Sequence, residues 1–218
     1  MSKKPLNFAQ TAHPILGRAA DDHPDDWASK ARAVSSVARL AVLLCILLAV
    51  SGERSRAQSN DAEYQVKAAF LYHFAQLVDW PADALTATDN SLFLCTLGED
   101  PFQGALEGTI GGKAIGTRVI RVRHLKQPEE MHSCQIVFLG KSQSKRIPML
   151  LVDLHNAPVL TVGETAGFLG EGGMICFLLE ENKVRFAINL DAAQSAKLKI
   201  GSRLLILAQN VVGESRGK

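Results

Sequence analysis

The feature that most constrains the fold is a buried strand, a glycine-rich loop and a hairpin in immediate succession, at residues 158–190 (PVLTVGETAGFLGEGGMICFLLEENKVRFAINL). Residues 159–162 are apolar and β-branched, which is typical of an interior strand. The five glycines that follow let the backbone take positive φ or approach a neighbour closely. Residues 174–180 and 183–188 predict two paired strands, because the intervening Glu181-Asn182 is a tight-turn pair.

Upstream of this stretch, residues 61–80 (DAEYQVKAAFLYHFAQLVDW) predict a helix that Asp61 caps and Pro81 stops. Glu63 and Lys67 lie four residues apart on it and can pair. Its apolar residues cover most of the circumference. This indicates either a helix buried in the core or a helix that shares a surface with a partner.

The remaining predicted elements alternate between strands and helices. They are strand 91–97, a short helix ending at 106, a loop at 108–116, strand 117–122, a turn at 128–132, strand 135–139, helix 145–154 with Pro148 in its first turn, and closing helices 191–197 and 202–209. This order predicts a single three-layer α/β domain with a mainly parallel sheet. The C-terminal hairpin is expected at the sheet edge, where one strand must run antiparallel.

The first 57 residues are predicted to be a disordered leader with a signal peptide. The apolar run 40–50 (LAVLLCILLAV) is shorter than the ~20 residues that a transmembrane helix needs. The Ser-Arg-Ala at 55–57 fits cleavage between Ala57 and Gln58. The alternative is an uncleaved membrane anchor. We expect residues 1–57 to be removed on export and residues 58–218 to form the α/β domain.

The charge distribution argues against a nucleic-acid partner. The leader carries eight Lys and Arg against five Asp and Glu, a net charge of +3, whereas the rest carries sixteen against seventeen, a net charge of −1. A nearly neutral body lacks the basic surface that nucleic acid requires.

Three glycine-led loops follow predicted buried strands: Gly98-Glu99-Asp100, Gly140-Lys141-Ser142 and Gly163-Glu164-Thr165. If these strands are neighbours in a parallel sheet, the loops converge at its carboxyl edge, where such sheets bind ligands. Lys141 and backbone N–H groups would then suit an anion. The alternative is that each glycine only lets its strand turn into the next helix, since none of the loops matches a phosphate-binding motif.

No catalytic or metal-binding pattern is evident. Glu99 and Asp100 are adjacent and point apart in an extended chain, so they make a poor acid–base pair. The six histidines lack metal-ligand spacing. Cys176 falls inside a predicted strand, which favours a buried inert thiol over a nucleophile. We therefore predict no enzymatic activity, metal or cofactor.

One predicted strand face carries polar side chains. Arg185 and Asn189 share it, because alternate residues of a strand point the same way. They are candidates for contact with a ligand or a partner chain, and the alternative is that they are simply solvated.

Several segments resemble the YfiR family. They are EYQVKAAFLYHFAQLVDWP at 63–81, LCTLGEDPF at 94–102, VLTVGETAGF at 159–168 and GGMICFLLEENKVRFAINLDAAQSAKLKIGSRLLILA at 172–208. Members of this family are small periplasmic α/β proteins that repress a membrane-bound diguanylate cyclase by contacting its periplasmic sensory domain, and they tend to dimerise. The resemblance implies a non-catalytic regulator of cyclic-di-GMP signalling, and hence of biofilm formation. The alternative is a periplasmic small-molecule binding protein of a transport or sensing system.

The family's disulfide pattern carries over only in part. Cys95 and Cys134 match one pair of the family. Cys176 matches half of a second pair, but its partner position near Leu169 holds no cysteine. The resemblance therefore implies a Cys95–Cys134 disulfide with Cys176 free, and it leaves redox control through a second bridge without support.

Overall fold

The structure is a computed structural model that describes Ala41 and residues 60–85 and 90–213. The chain divides into two units, residues 1–53 and 54–218, and all described residues except Ala41 belong to the second. The predicted cleavage site at Ala57–Gln58 and, apart from Ala41, the apolar run 40–50 lie outside the described residues. In the described part, no helix has the length and apolar character needed to cross a membrane.

The main sheet has eight strands. In chain order the strands of the protein are β1 (Val78–Asp79), β2 (Ser91–Leu97), β3 (Ala114–Ile115), β4 (Arg118–Leu125), β5 (Ile136–Leu139), β6 (Leu160–Gly163), β7 (Ile175–Glu180), β8 (Lys183–Asn189), β9 (Lys199–Ile200) and β10 (Asn210–Val212). The sheet order is β10-β8-β7-β6-β5-β2-β4-β3, while β1 and β9 form a separate antiparallel pair. Among the described strands of the main sheet, only β3–β4 and β7–β8 pair antiparallel. The predicted mainly parallel sheet is confirmed.

Helices cover both faces of this sheet. They are α1 (60–77), α2 (Ala105–Ile110), α3 (Ile147–Asp153), α4 (Leu190–Ser195) and α5 (Ser202–Leu207), with short 3-10 helices at Ala82–Leu85, Pro128–Ser133 and Lys141–Gln143. Strand β2 shows the two faces clearly, because it is buried along its whole length. Leu92 and Leu94 pack into the core beneath α1, whereas Phe93 and Leu97 pack into the core beneath α3. The predicted three-layer arrangement is therefore present.

Helix α1 differs from its prediction at both ends. It already includes Asn60, so Asp61 lies within the helix and does not cap it. It stops at residue 77, four residues before Pro81, because the next two residues leave the helix as β1 to pair with β9. Leu77 also accepts a backbone hydrogen bond from Gly201. A tertiary pairing thus ends the helix before the proline does.

Two further differences concern short elements. The predicted loop at 108–116 is partly helical, because α2 continues to Ile110. At one edge of the main sheet, β10 pairs parallel to β8 and so lies outside the hairpin. The hairpin itself forms as predicted, with Glu181 and Asn182 at φ 49° and 59° in its turn.

Candidate functional site

The three glycine-led loops meet at one edge of the sheet. They follow β2, β5 and β6, which are consecutive and parallel. The backbone N–H of Lys141 donates to Glu164 Oε1 over 3.2 Å. Gly98 has φ +83°, which favours glycine, and a Cβ there would lie 2.2 Å from Gln143 Nε2, so the first two loops approach closely. The loops form a crevice at the carboxyl ends of the strands.

Side chains from α1 fill this crevice. The Tyr64 hydroxyl donates to both carboxylate oxygens of Glu164, at 3.0 and 3.1 Å. Lys67 Nζ donates to Glu164 Oε2 over 2.5 Å and also to the Glu63 carboxylate. The side chains of Lys67 and Glu164 are only 4% and 2% exposed. Glu164 is thus a buried carboxylate held by a phenol, an ammonium and a backbone amide.

Aromatic rings enclose the buried ammonium. Lys67 Nζ lies 4.4 Å from the ring centroid of Tyr64 and 5.9 Å from that of Phe177. Burial, followed by the charge of Glu164 and the hydrogen bond to it, raises the pKa of Tyr64 well above its usual range. Tyr64 therefore stays protonated and remains a donor to Glu164.

Cys176 lies in the same neighbourhood as a free, buried thiol. Burial, reinforced by the charge of Glu164 and opposed by that of Lys67, raises the pKa of Cys176 to about 11. Its Sγ lies 3.5 Å from the carbonyl oxygen of Thr165, to which it donates. A thiol in this environment is a poor nucleophile near neutral pH, since the thiolate is the reactive form.

The other loop residues singled out in the sequence have structural roles or exposed side chains. Asp100 Oδ1 accepts from the backbone N–H of Phe102, which closes the turn into the following helix. Gly163 faces the ring of Phe168, which leaves no room for a Cβ. The side chains of Glu99, Lys141 and Ser142 are exposed, and Thr165 is half-buried.

Arg185 and Asn189 are not brought together at one site. Asn189 caps α4: its Oδ1 accepts from Ala192 N, and its Nδ2 donates to the carbonyl of Leu169. Arg185 is exposed near the hairpin turn and lines a different cavity from Asn189. Asn189 is therefore committed to a helix cap.

A hydroxyl, an imidazole and a carboxylate do align on β2, β4 and α2. Thr96 Oγ1 lies 2.8 Å from His124 Nδ1, and His124 Nε2 lies 2.6 Å from Glu107 Oε1. Thr96 is only 1% exposed, so a substrate has no access to its hydroxyl. We interpret the arrangement as a cross-strand polar link. Among the described residues, no three His, Cys, Asp or Glu side chains are placed to hold a metal ion.

A further concave surface lies elsewhere, between the first turns of α1 and the tip of the β7–β8 hairpin. This α1–hairpin groove has a volume of about 500 Å³. Its apolar lining includes Val66 and Leu179, which are 46% and 55% exposed, together with Phe70 and Val184. Sequence analysis left open whether α1 is buried in the core or shares a surface with a partner. It did not pair α1 with the hairpin tip, because the two are more than 100 residues apart.

Comparison with known proteins gives one family match. The model of the family described as YfiR/HmsC-like matches residues 64–209. That range contains both α1 from Tyr64 onward and the complete hairpin, so it includes the residues that form the crevice and most of those that line the groove.

Two solved structures resemble part of this chain. One is the ABC domain in complex with L-Trp from Streptococcus pneumoniae, with 11% identity and a TM-score of 0.41. Another is a conserved domain protein from Vibrio cholerae O1 biovar El Tor strain N16961, with 9% identity and a TM-score of 0.42. Each match covers 60% of this chain, and the chain spans 57% of the length of each of those proteins.

Proposed function

The chain belongs to the YfiR/HmsC-like family, and from that membership we propose that it is a periplasmic regulatory protein. In this proposal it binds the periplasmic sensory domain of a membrane-bound diguanylate cyclase and represses the enzyme, which lowers cyclic-di-GMP. The family match over residues 64–209 carries the proposal. The protein itself would act through binding, without catalysis.

The state of the crevice supports a binding protein for macromolecules over one for small molecules. The position where a parallel sheet of this kind would hold a ligand is filled by Tyr64, Lys67 and Glu164. Their polar groups bond to one another, so a small ligand would have to displace a buried ion pair to enter. The α1–hairpin groove, in contrast, leaves apolar side chains open on the surface.

Export belongs to the same proposal. We expect cleavage between Ala57 and Gln58, and we expect the mature protein to form a homodimer. N-terminal sequencing of the exported protein tests the first expectation, and Gln58 should be the first residue. A mature form that keeps residues 40–50 would contradict cleavage. Light scattering coupled to size-exclusion chromatography tests the second.

The function is tested by deleting the gene and measuring cellular cyclic-di-GMP. We expect a rise, because a repressor has been removed. Individual deletion of the membrane diguanylate cyclases in that strain should identify one whose loss abolishes the rise, and this enzyme is the cognate cyclase. An unchanged level of cyclic-di-GMP, with the cyclases expressed, would overturn the proposal.

Complementation of the deletion strain tests in which compartment the protein acts. The full-length chain should restore the low level of cyclic-di-GMP. A chain lacking residues 1–57 should not restore it, because it stays on the wrong side of the membrane. Equal complementation by both chains would contradict a periplasmic site of action.

A further inference from the structure

We propose that the α1–hairpin groove is the surface that binds the cyclase, and that its occupant is an amphipathic helix with acidic residues beside its apolar face. This inference rests on the proposed function and adds the location and chemistry of the contact. It starts from the shape of the groove and from the charges at its margin.

The floor of the groove is apolar and open. Val66 and Phe70 lie one turn apart on α1, and Leu179 and Val184 are cross-strand partners on β7 and β8. Two of these side chains, Val66 and Leu179, are among the exposed large hydrophobic residues of the described chain. A pair of apolar stripes separated by a groove of about 500 Å³ suits the face of a helix, whose apolar residues recur every three to four positions.

The charges that line the groove select the partner. Lys183 and Arg185 lie at its margin, and within residues 60–85 and 90–213 neither has an ion-pair partner. The one carboxylate that lines the groove, Glu63, is already paired with the buried Lys67. Glu181, in the turn, does not line the groove. Glu180, the cross-strand partner of Lys183, does not line it either. Among the residues that line the groove, the unpaired charge is therefore positive, which favours a partner with acidic flanks.

The same charges argue against a second copy of this chain as the occupant. A two-fold interface places the same patch on both subunits. Two such patches would bring together two surfaces whose unpaired charges, Lys183 and Arg185, are positive, and like charges at an interface weaken association. An acidic partner removes this conflict.

Binding measurements with the exported protein test the location. The probe is the purified periplasmic domain of the cognate cyclase, defined by the deletion experiments above. Val66→Asp and Leu179→Asp should each raise the Kd by about tenfold or more, because each places a carboxylate in the apolar floor. Val152→Asp is the matched control, since Val152 is 75% exposed on α3, on the opposite face of the sheet. It should leave the Kd unchanged.

Charge reversal tests the chemistry. Lys183→Glu/Arg185→Glu should lower the association rate constant and weaken its dependence on salt, because electrostatic attraction acts mainly on encounter. Lys145→Glu/Arg203→Glu reverses two other exposed cations and should have little effect. Thermal melting of each variant shows whether it folds. All seven positions changed in these variants are exposed, so a loss of binding with an unchanged melting temperature reports on the surface itself.

The outcomes separate this inference from the proposed function. If the wild-type protein binds the domain and the groove variants bind equally well, the groove is the wrong surface and the function stands. If Val152→Asp weakens binding as much as Val66→Asp, the location is also wrong. If charge reversal has no effect while Val66→Asp and Leu179→Asp weaken binding, the inference that the partner is acidic is wrong. If the wild-type protein does not bind the domain, direct repression of that cyclase is overturned.

Discussion

The position of Lys67 sets the energetics of the crevice. A buried ammonium between two carboxylates is stable only while its partners remain, because an unpaired buried charge has lost its hydration. Here Glu63 and Oε2 of Glu164 both accept from it, and Tyr64 and Lys141 donate to Oε1, the other oxygen of Glu164. The ion pair also joins α1 to the loop after β6, so it connects two parts of the fold as well as two charges.

Replacing Lys67 by methionine should therefore destabilise the protein strongly. Lys67→Met keeps the length of the side chain but leaves Glu164 buried without its cation. We expect a loss of about 3–5 kcal/mol in the free energy of unfolding, measured by urea denaturation. Lys145→Met changes an exposed lysine in the same way and should alter stability by less than about 0.5 kcal/mol.

A double variant identifies the cause of that loss. In Lys67→Met/Glu164→Gln the buried charge is removed together with its partner, so part of the lost stability should return. If the double variant loses more free energy of unfolding than the two single variants lose in sum, the ion pair is not the origin of the effect.

Cys176 should give the protein a specific sensitivity to alkaline pH. Its pKa of about 11 in the folded protein exceeds the ordinary value of 9.0, so on raising the pH the unfolded chain loses the thiol proton first. The stabilisation from the neutral buried thiol is fully present below pH 9 and is lost as the pH rises through about 11. Relative to Cys176→Ala, the wild-type protein should lose free energy of unfolding across this window, measured by urea denaturation at several pH values. A difference in free energy of unfolding between the two proteins that does not change with pH would contradict the raised pKa of Cys176.

At the residue scale, the sequence predicted part of the crevice. A glycine after a buried strand placed Glu164 and Lys141 correctly at the carboxyl edge, because this depends on strand order alone. Tyr64 and Lys67 were missed as members of the site, although the Glu63–Lys67 pair was predicted. Helix periodicity reports which residues share a face, but it does not report which loop that face meets.

At the scale of elements, the β7–β8 hairpin carries a conformational cost in its turn. Glu181 and Asn182 both have positive φ, which asparagine tolerates well and glutamate does not. Glu181→Gly should therefore raise the free energy of unfolding by about 0.5–1 kcal/mol, measured by urea denaturation. Glu180→Gly is the matched control. It lies one residue earlier in extended β7 and should lower stability by a similar amount.

Elements with strong local patterns were predicted well. Strand β2 has the predicted bounds, and the hairpin strands agree to within a residue, because continuous burial and a defined turn are visible in the sequence. The strands β1, β3, β9 and β10 were missed. Each has only two or three residues, and each exists because another strand pairs with it. Local sequence carries no signal of that kind.

At the scale of the whole molecule, the disulfide closes a large loop. The structure holds the Cys95–Cys134 bridge across a separation of 39 residues, with the two Cα atoms 6.2 Å apart. It joins β2 to the short segment that leads into β5. The strands β2 and β5 are neighbours near the centre of the sheet. The bridge therefore restricts the unfolded chain across the middle of the domain.

Reduction should remove about 4 kcal/mol of stability on the chain-entropy model. We expect a reductant to lower the urea midpoint of the wild-type protein and of Cys176→Ala equally. It should have no effect on Cys95→Ala/Cys134→Ala. Mass mapping of the non-reduced exported protein should show Cys95 and Cys134 linked and Cys176 free. A bridge that contains Cys176 would contradict this pairing.

The burial of Lys67 against Glu164 has a consequence for how the molecule assembles. The two residues are 97 positions apart, and α1 also packs on Phe177 and Phe186, later still in the chain. Helix α1 therefore reaches its final environment only after the β7–β8 hairpin has been synthesised. A polypeptide interrupted at any point before the hairpin leaves the apolar face of α1 without Phe177 and Phe186, so the domain cannot close until the hairpin has been made.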